Sequence, residues 1–309
     1  MPLLSWPNRK PGQATEGKPI RVLVMDSMFI LALGLSGIAT SNREKTSMTT
    51  GVRVRRYGAV AALVAFGICF AALPARAQDA CAGASEFAGL ERTPEHIRDR
   101  VARKLPLKIV AIGSSSTWGA GASSSAATYP SRLEAELKAR LPDLPITVLN
   151  KGIGGEEAAQ MVARFDADVI EESPDLVLWQ IGSNSVLRDH PTAGEVIRQG
   201  VARLKASGFE VILINPQYAP KILAKPDVYR AVELITATAR NAEVGLFNRF
   251  MVMRNWVEGE KMNFDKFLSP DGLHLNDWSY ACIAKLLATA ILEGTKLPPA
   301  VAAPATIIR

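Results

Sequence analysis

The stretch Lys108–Gly121, KIVAIGSSSTWGAG, decides how the rest of the chain is read. Ile109–Ile112 is an apolar run of strand length. It stops at Gly113, where three serines, a threonine and further glycines follow. Such a cluster after an apolar run predicts a turn. Ligands of open α/β sheets sit outside the carboxyl ends of the strands. One of Ser114, Ser115 and Ser116 is therefore predicted to be held by backbone at such an end and aimed outward.

Outward from that stretch, apolar runs alternate with helical patterns. Strands are predicted at Ile109–Ile112, Ile146–Leu149, Leu176–Ile181, Phe209–Ile214 and Val244–Phe247. Helices are predicted at Pro94–Lys104, Tyr129–Leu141, Glu156–Glu171, Ala193–Ala206, Asp227–Asn241 and Asp277–Leu292, the last with Asp277 near its N-cap. In Tyr129–Leu141 the leucines 133, 137 and 141 fall on one face. Gly208 stops the helix before the fourth strand. Strands alternating with helices predict a mostly parallel five-stranded sheet in a three-layer α/β/α sandwich.

The chain has 309 residues, 48% of them hydrophobic and 21% charged, which is ordinary globular composition. Its formal charge of +6 is misleading. Residues 1–77 hold ten Lys/Arg against three Asp/Glu, which leaves 26 against 27 for the remainder, a net of −1. The body carries no basic footprint for nucleic acid. Residues 48–77 have the layout of a secretory signal peptide. Arg53, Arg55 and Arg56 precede an apolar core, Ala59–Leu73, and Ala75-Arg76-Ala77 offers a cut before Gln78. The apolar core is short for a membrane span of about 20 residues, so no stable span is expected after cleavage. No cysteine follows the cut, which argues against a lipoprotein. Residues 1–47 are expected to be a non-native or disordered extension, with translation starting at Met48.

The expected layout is therefore a signal peptide (48–77), a lead-in (78–106), one α/β domain (107–294) and a Pro/Ala-rich tail (295–309), in a periplasmic or secreted protein. After the cut, Cys81 and Cys282 remain, an even count in an oxidising compartment. One disulfide between them is expected, tying the mature N-terminus to the last helix.

Four loops gather chemistry: 113–117, 150–156, 182–185 and 271–274. A serine hydroxyl needs an adjacent base to become a nucleophile. The chain has three histidines, His96, His190 and His274, and His274 has an acid, Asp271, three residues before it. An acid there can fix the imidazole tautomer and stabilise the imidazolium. A developing oxyanion needs preorganised donors, and the Ser115 N–H, the Gly155 N–H and the Asn184 amide are candidates. The histidines are scattered without metal-ligand spacing, so no metal is expected. Trp118, Trp179, Tyr218 and Trp256 lie in or near these loops. They are candidates for stacking on sugar rings or lining an acyl pocket, with core packing as the alternative.

In this order the blocks resemble those of the SGNH (GDSL-type) hydrolases. The resemblance covers Lys108 to Gly294. It implies a flavodoxin-like α/β/α fold, an esterase acting through a Ser-Asp-His triad, and no cofactor. By the Gly-Asp-Ser-x-Thr pattern the nucleophile falls on Ser115, in register with Thr117. The block-two glycine falls on Gly155, the block-three asparagine on Asn184, and the Asp-x-x-His pair on Asp271 and His274. The implied oxyanion hole is Ser115, Gly155 and Asn184. Ser114 and Ser185 stand where the family usually has Asp, each keeping a hydrogen-bonding side chain but removing a charge. A small-molecule or carbohydrate ester is the expected partner. Two rivals remain at this stage: an inactive glycan-binding protein of the same fold, and a nucleotide- or flavin-binding module. Against the second, Asn150-Lys151 ends strand two where an acid would hold a ribose.

Overall fold

The computed structural model describes residues 81–92, 94–191 and 193–293. A 3-10 turn (Ala82–Phe87) and α1 (Glu95–Ala102) lead into β1 (Leu107–Gly113). Then come α2 (Ser115–Trp118), α3 (Tyr129–Arg140), β2 (Ile146–Gly152), α4 (Ala158–Ala163), β3 (Leu176–Gln180), α5 (Ser183–Leu187) and α6 (Gly194–Ala206). The remainder is β4 (Glu210–Ile214), α7 (Pro220–Leu223), α8 (Val228–Asn241), β5 (Gly245–Phe247), α9 (Arg249–Glu258) and α10 (Asp277–Glu293). The predicted extension 1–47, signal peptide 48–77 and tail 295–309 lie outside the described residues.

The five strands form one sheet in the order β2-β1-β3-β4-β5, every pair parallel. This is the flavodoxin-like order, in which the chain winds outward from β1 in both directions. The crevice at the reversal lies between β1 and β3, beyond their carboxyl ends. Strand alternation divides the core in two. Ile109, Ala111, Leu176, Leu178, Ile212 and Ile214 face one side, with Leu133 and Leu137 of α3 and most of α9 and α10. Val110, Ile112, Val177, Trp179, Val211 and Leu213 face the other, with Ala158 and Met161 of α4 and Ile197, Val201 and Leu204 of α6. Burial on both faces explains why these strands read as continuous apolar runs.

The helix expected over Glu156–Glu171 is broken. Glu157 is extended and closes a capping box with Gln160, so α4 starts two residues late. A π-helical turn over Asp166–Ile170 then follows Phe165, whose ring meets Trp179 edge-on at 5.0 Å. Helix α9 is not among the predicted elements. Arg249, Phe250, Val252, Met253 and Trp256 are all buried on it, so no polar stripe marks a helical period. Asp277 is the first residue of α10, next to Asn276 at the cap position. Asn276 Oδ1 accepts the Ser279 N–H at 3.2 Å, while the Asp277 carboxylate accepts the Ser123 N–H at 2.8 Å and its hydroxyl at 2.5 Å.

Cys81 and Cys282 form the expected disulfide, with Cα atoms 5.5 Å apart across 201 residues of sequence. It fastens the lead-in to α10, the helix that follows the His274 loop. Among the described residues no helix is long and apolar enough to cross a membrane. A cross-link that closes a long loop restricts the unfolded chain, so Cys282→Ser is expected to lower unfolding stability by about 2–4 kcal/mol. Urea titration of the oxidised protein and the variant measures this.

Candidate functional site

Strand β1 ends at Gly113, and the chain turns at once into α2. Gly113 has no room for a side chain: a Cβ there would lie 2.2 Å from Thr117 Oγ1. The three serines then part company. Ser114 is buried and turned inward, its N–H and hydroxyl both donating to Gln180 Oε1 at the end of β3, at 3.0 and 2.9 Å. Ser116 is buried as well. Ser115 alone of the three reaches His274, with its Oγ 2.9 Å from Nε2.

His274 lies on the loop before α10. Its Nδ1 is 2.5 Å from Asp271 Oδ2, so serine, imidazole and carboxylate are hydrogen-bonded in series. Asp271 Oδ1 accepts the backbone N–H groups of Leu273 and His274, both at 2.9 Å. Partial burial works to raise the Asp271 carboxyl. The His274 N–H, the His274 ring and the Leu273 N–H together outweigh it and hold the group below the ordinary carboxylate value. The loop itself is pinned by Ser269 and Leu275, against which Gly121 packs so closely that a Cβ would come within 2.3 Å of the Leu275 carbonyl.

The other two loops meet at Asn184. Its Nδ2 donates to the Glu156 carbonyl at 2.8 Å. A primary amide has two N–H donors, so one remains. Gly155, one residue before that carbonyl, has a positive φ of 82°, a conformation glycine takes without strain. Ser185 donates to Glu157 Oε2 at 3.1 Å, and Arg188 and His190 meet the other oxygen of the same carboxylate at 2.8 and 3.0 Å. Gly152 ends β2 directly under α2, where a Cβ would lie 2.1 Å from the Trp118 nitrogen. Ser115, Gly155, Asn184, Asp271 and His274 are thus drawn from four loops to the carboxyl end of the sheet.

Of the aromatics near these loops, Trp179, Trp256 and Tyr218 are buried in the core and Trp118 is exposed. Three further residues support these loops. Arg249, wholly buried at the start of α9, donates to the Asn215 carbonyl at 3.1 Å and to Gln217 Oε1 at 2.9 Å. Gln217 Oε1 also accepts the hydroxyl of Ser183, beside Asn184, at 2.6 Å. Burial lowers the Arg249 guanidinium to about 10, with Tyr129 and Tyr280 working the other way. The available signal was Asn215-Pro216-Gln217 after β4, two amides at the same strand ends. Among the described residues no group of three or more His, Cys, Asp or Glu is placed to hold a metal ion.

The model of the non-GDSL lipase-like family matches residues 80–297. An acetylxylan esterase of Geobacillus stearothermophilus is 44% identical over 54 residues, which is 18% of this chain and 25% of that protein. Among solved structures, a two-domain esterase active on acetylated mannans superposes with a TM-score of 0.58 at 21% identity, covering 68% of this chain and 56% of that one. A variant of an acetylxylan esterase from Geobacillus stearothermophilus gives 0.51 at 21% identity, covering 62% of this chain and 95% of that one. These likenesses support the fold. The chain spans a quarter of the first relative and just over half of the two-domain esterase.

Because the Asp271 carboxyl titrates lower in the folded state than in the unfolded chain, its stabilising contribution is complete above the unfolded value of about 3.9 and is lost as pH falls through the lower folded value. The group is 41% exposed, so solvent screening keeps the effect modest. Asp271→Asn is expected to be less stable than the parent at neutral pH, with the gap closing below about pH 4. Urea midpoints across that range check it.

Proposed function

Since the chain belongs to the non-GDSL lipase-like family, we propose that it is an exported serine esterase that hydrolyses acetyl or other short-chain acyl esters. The single observation that carries this reading is the series Ser115 Oγ, His274 Nε2, His274 Nδ1, Asp271 Oδ2, with contacts of 2.9 and 2.5 Å. A hydroxyl, an imidazole and a carboxylate in that order perform general-base-assisted nucleophilic attack.

Ser115 Oγ attacks the ester carbonyl carbon and its proton passes to His274 Nε2. The Asp271 carboxylate holds the Nδ1–H tautomer and stabilises the imidazolium. Negative charge on the carbonyl oxygen is met by the Ser115 and Gly155 N–H groups and the second N–H of the Asn184 amide. The C–O bond to the alcohol breaks, and the alcohol leaves with the proton from Nε2. Water then attacks the acyl-serine, giving its proton to the same nitrogen, and the acid departs as Ser115 recovers its hydrogen. In this reading Ser115 and Gly155 donate freely: neither N–H has a partner among the described residues.

The finer assignment, an SGNH hydrolase, rests on the four blocks and the serine-histidine contact. The matching family is described as non-GDSL, so the GDSL label of the resemblance is not carried over, and Ser114 stands where the GDSL motif has an aspartate. Here Ser114 turns inward to Gln180, so the missing carboxylate is not one that would face the substrate. Export is supported by the leader sequence and by the Cys81–Cys282 bridge. The relatives act on acetylated xylan and mannan by their descriptions, which makes O-acetylated carbohydrates the first substrates to try.

Ser115→Ala and His274→Ala are each expected to lower p-nitrophenyl acetate turnover by at least about 10³-fold. Asn184→Ala is expected to lower kcat by roughly 10²-fold with KM little changed. Steady-state kinetics on folded variants measures both, and full activity in Ser115→Ala contradicts the reading.

A further inference from the structure

Three large apolar side chains are exposed among the described residues: Trp118 at 62%, Tyr229 at 57% and Ile153 at 47%. Tyr229 sits on α8, edge-on to Phe250. The other two flank Ser115. Trp118 is three residues on in the same short helix, and residues i and i+3 of a helical turn are surface neighbours, about 5–6 Å apart at Cβ. Ile153 follows β2, its N–H donating to the Gly113 carbonyl at 3.0 Å. Gly113 and Gly152 are register partners at the ends of β1 and β2, and Gly152 packs on the Trp118 backbone. The backbones that carry these two exposed side chains therefore meet beside the nucleophile, at the ends of β1 and β2.

Neither serves the core. The Trp118 indole enters none of the ring pairs among the described residues, whereas Trp179, Trp256 and Trp278 all do. Exposed apolar surface next to reactive groups marks a ligand site. Its form selects the ligand. An indole face and a branched side chain together offer apolar area on the scale of a sugar ring, and polar groups lie on the neighbouring loops. Arg188 is among them, its Nη2 3.3 Å from where a Gly155 Cβ would stand. A pyranose has a matching apolar C–H face rimmed by hydroxyls. A long acyl chain needs apolar contact over many methylenes, which two side chains do not supply.

We propose that Trp118 and Ile153 form the subsite for the sugar ring that carries the scissile ester, so that the substrate is an O-acetylated glycan and the ledge binds its alcohol side. This rests on the esterase reading of Ser115. Because Ser115 and Trp118 are neighbours on one helical turn, a ring seated on the indole brings an acetylated hydroxyl group toward Ser115.

The test compares Trp118→Ala and Trp118→Phe with the parent on three substrates followed by acid release. They are partly acetylated xylo-, manno- and cello-oligosaccharides, the small ringless ester triacetin, and a p-nitrophenyl ester with a twelve-carbon acyl chain. Trp118→Ala is expected to raise KM for acetylated oligosaccharides by about tenfold. Its kcat/KM on triacetin should stay within about twofold of the parent, and Trp118→Phe should recover most of the oligosaccharide affinity. An equal loss on oligosaccharide and triacetin, or no change in KM, overturns the subsite. A loss confined to the long-chain ester overturns the choice of sugar over lipid. A parent protein that turns over none of the three removes the esterase reading, and the subsite with it.

Discussion

A contact between residues 159 positions apart governs this structure: the Ser115 hydroxyl against His274 Nε2 at 2.9 Å. Serine and histidine belong to opposite ends of the folded domain's sequence, and the sheet order brings them together. With β1 at the centre of the winding, the loop after β1 and the loop before α10 share the same rim of the sheet. Short-range packing then removes the remaining freedom. Gly113, Gly121 and Gly152 are each pressed against a neighbour where a single methyl group would collide. The loops that carry Ser115 and His274 are therefore held by backbone contact, which suits a site that must be ordered before its substrate arrives.

Behind this rim lies a layer of buried polar groups. Gln180 collects Ser114 from one side, while Gln217 collects Ser183 and Arg249 from another. Arg249 enters no ion pair with a carboxylate among the described residues, and its charge is met by a carbonyl and an amide oxygen. Buried polar networks of this kind are costly where a group goes unmet, and here Gln180 Nε2 is the one such atom of the two glutamines among the described residues. They fix loop geometry without bringing a competing acid close to Asp271. The same economy explains Ser114 and Ser185, whose hydroxyls point inward or sideways to Gln180 and Glu157.

The layers and the strands were legible because the strands are buried on both faces and so read as uninterrupted apolar runs between turn residues. The contact between Asp271 and His274 was legible from spacing, since a turn of Asp-Gly-Leu-His brings carboxylate and ring together locally. What could not be read depends on long-range packing. Helix α9 lacks an amphipathic period because Phe250, Val252, Met253 and Trp256 are buried around it. The late start of α4 comes with Glu157 acting as its cap, a residue whose carboxylate is also held by Ser185, Arg188 and His190, 28 to 33 positions away. Composition gave no means of separating Trp118 from Trp179, one exposed at the rim and the other deep in the core. Their difference lies in position relative to the strand end, one past it and one within it.

The central claim is that the Ser115 hydroxyl is activated by His274 at this rim. Reaction of the native protein with a fluorophosphonate, followed by peptide mass mapping, tests it most directly. The account predicts a single adduct on Ser115, forming much more slowly in His274→Ala. An adduct on Ser114 or Ser116, or labelling of Ser115 at an unchanged rate without the imidazole, would contradict it.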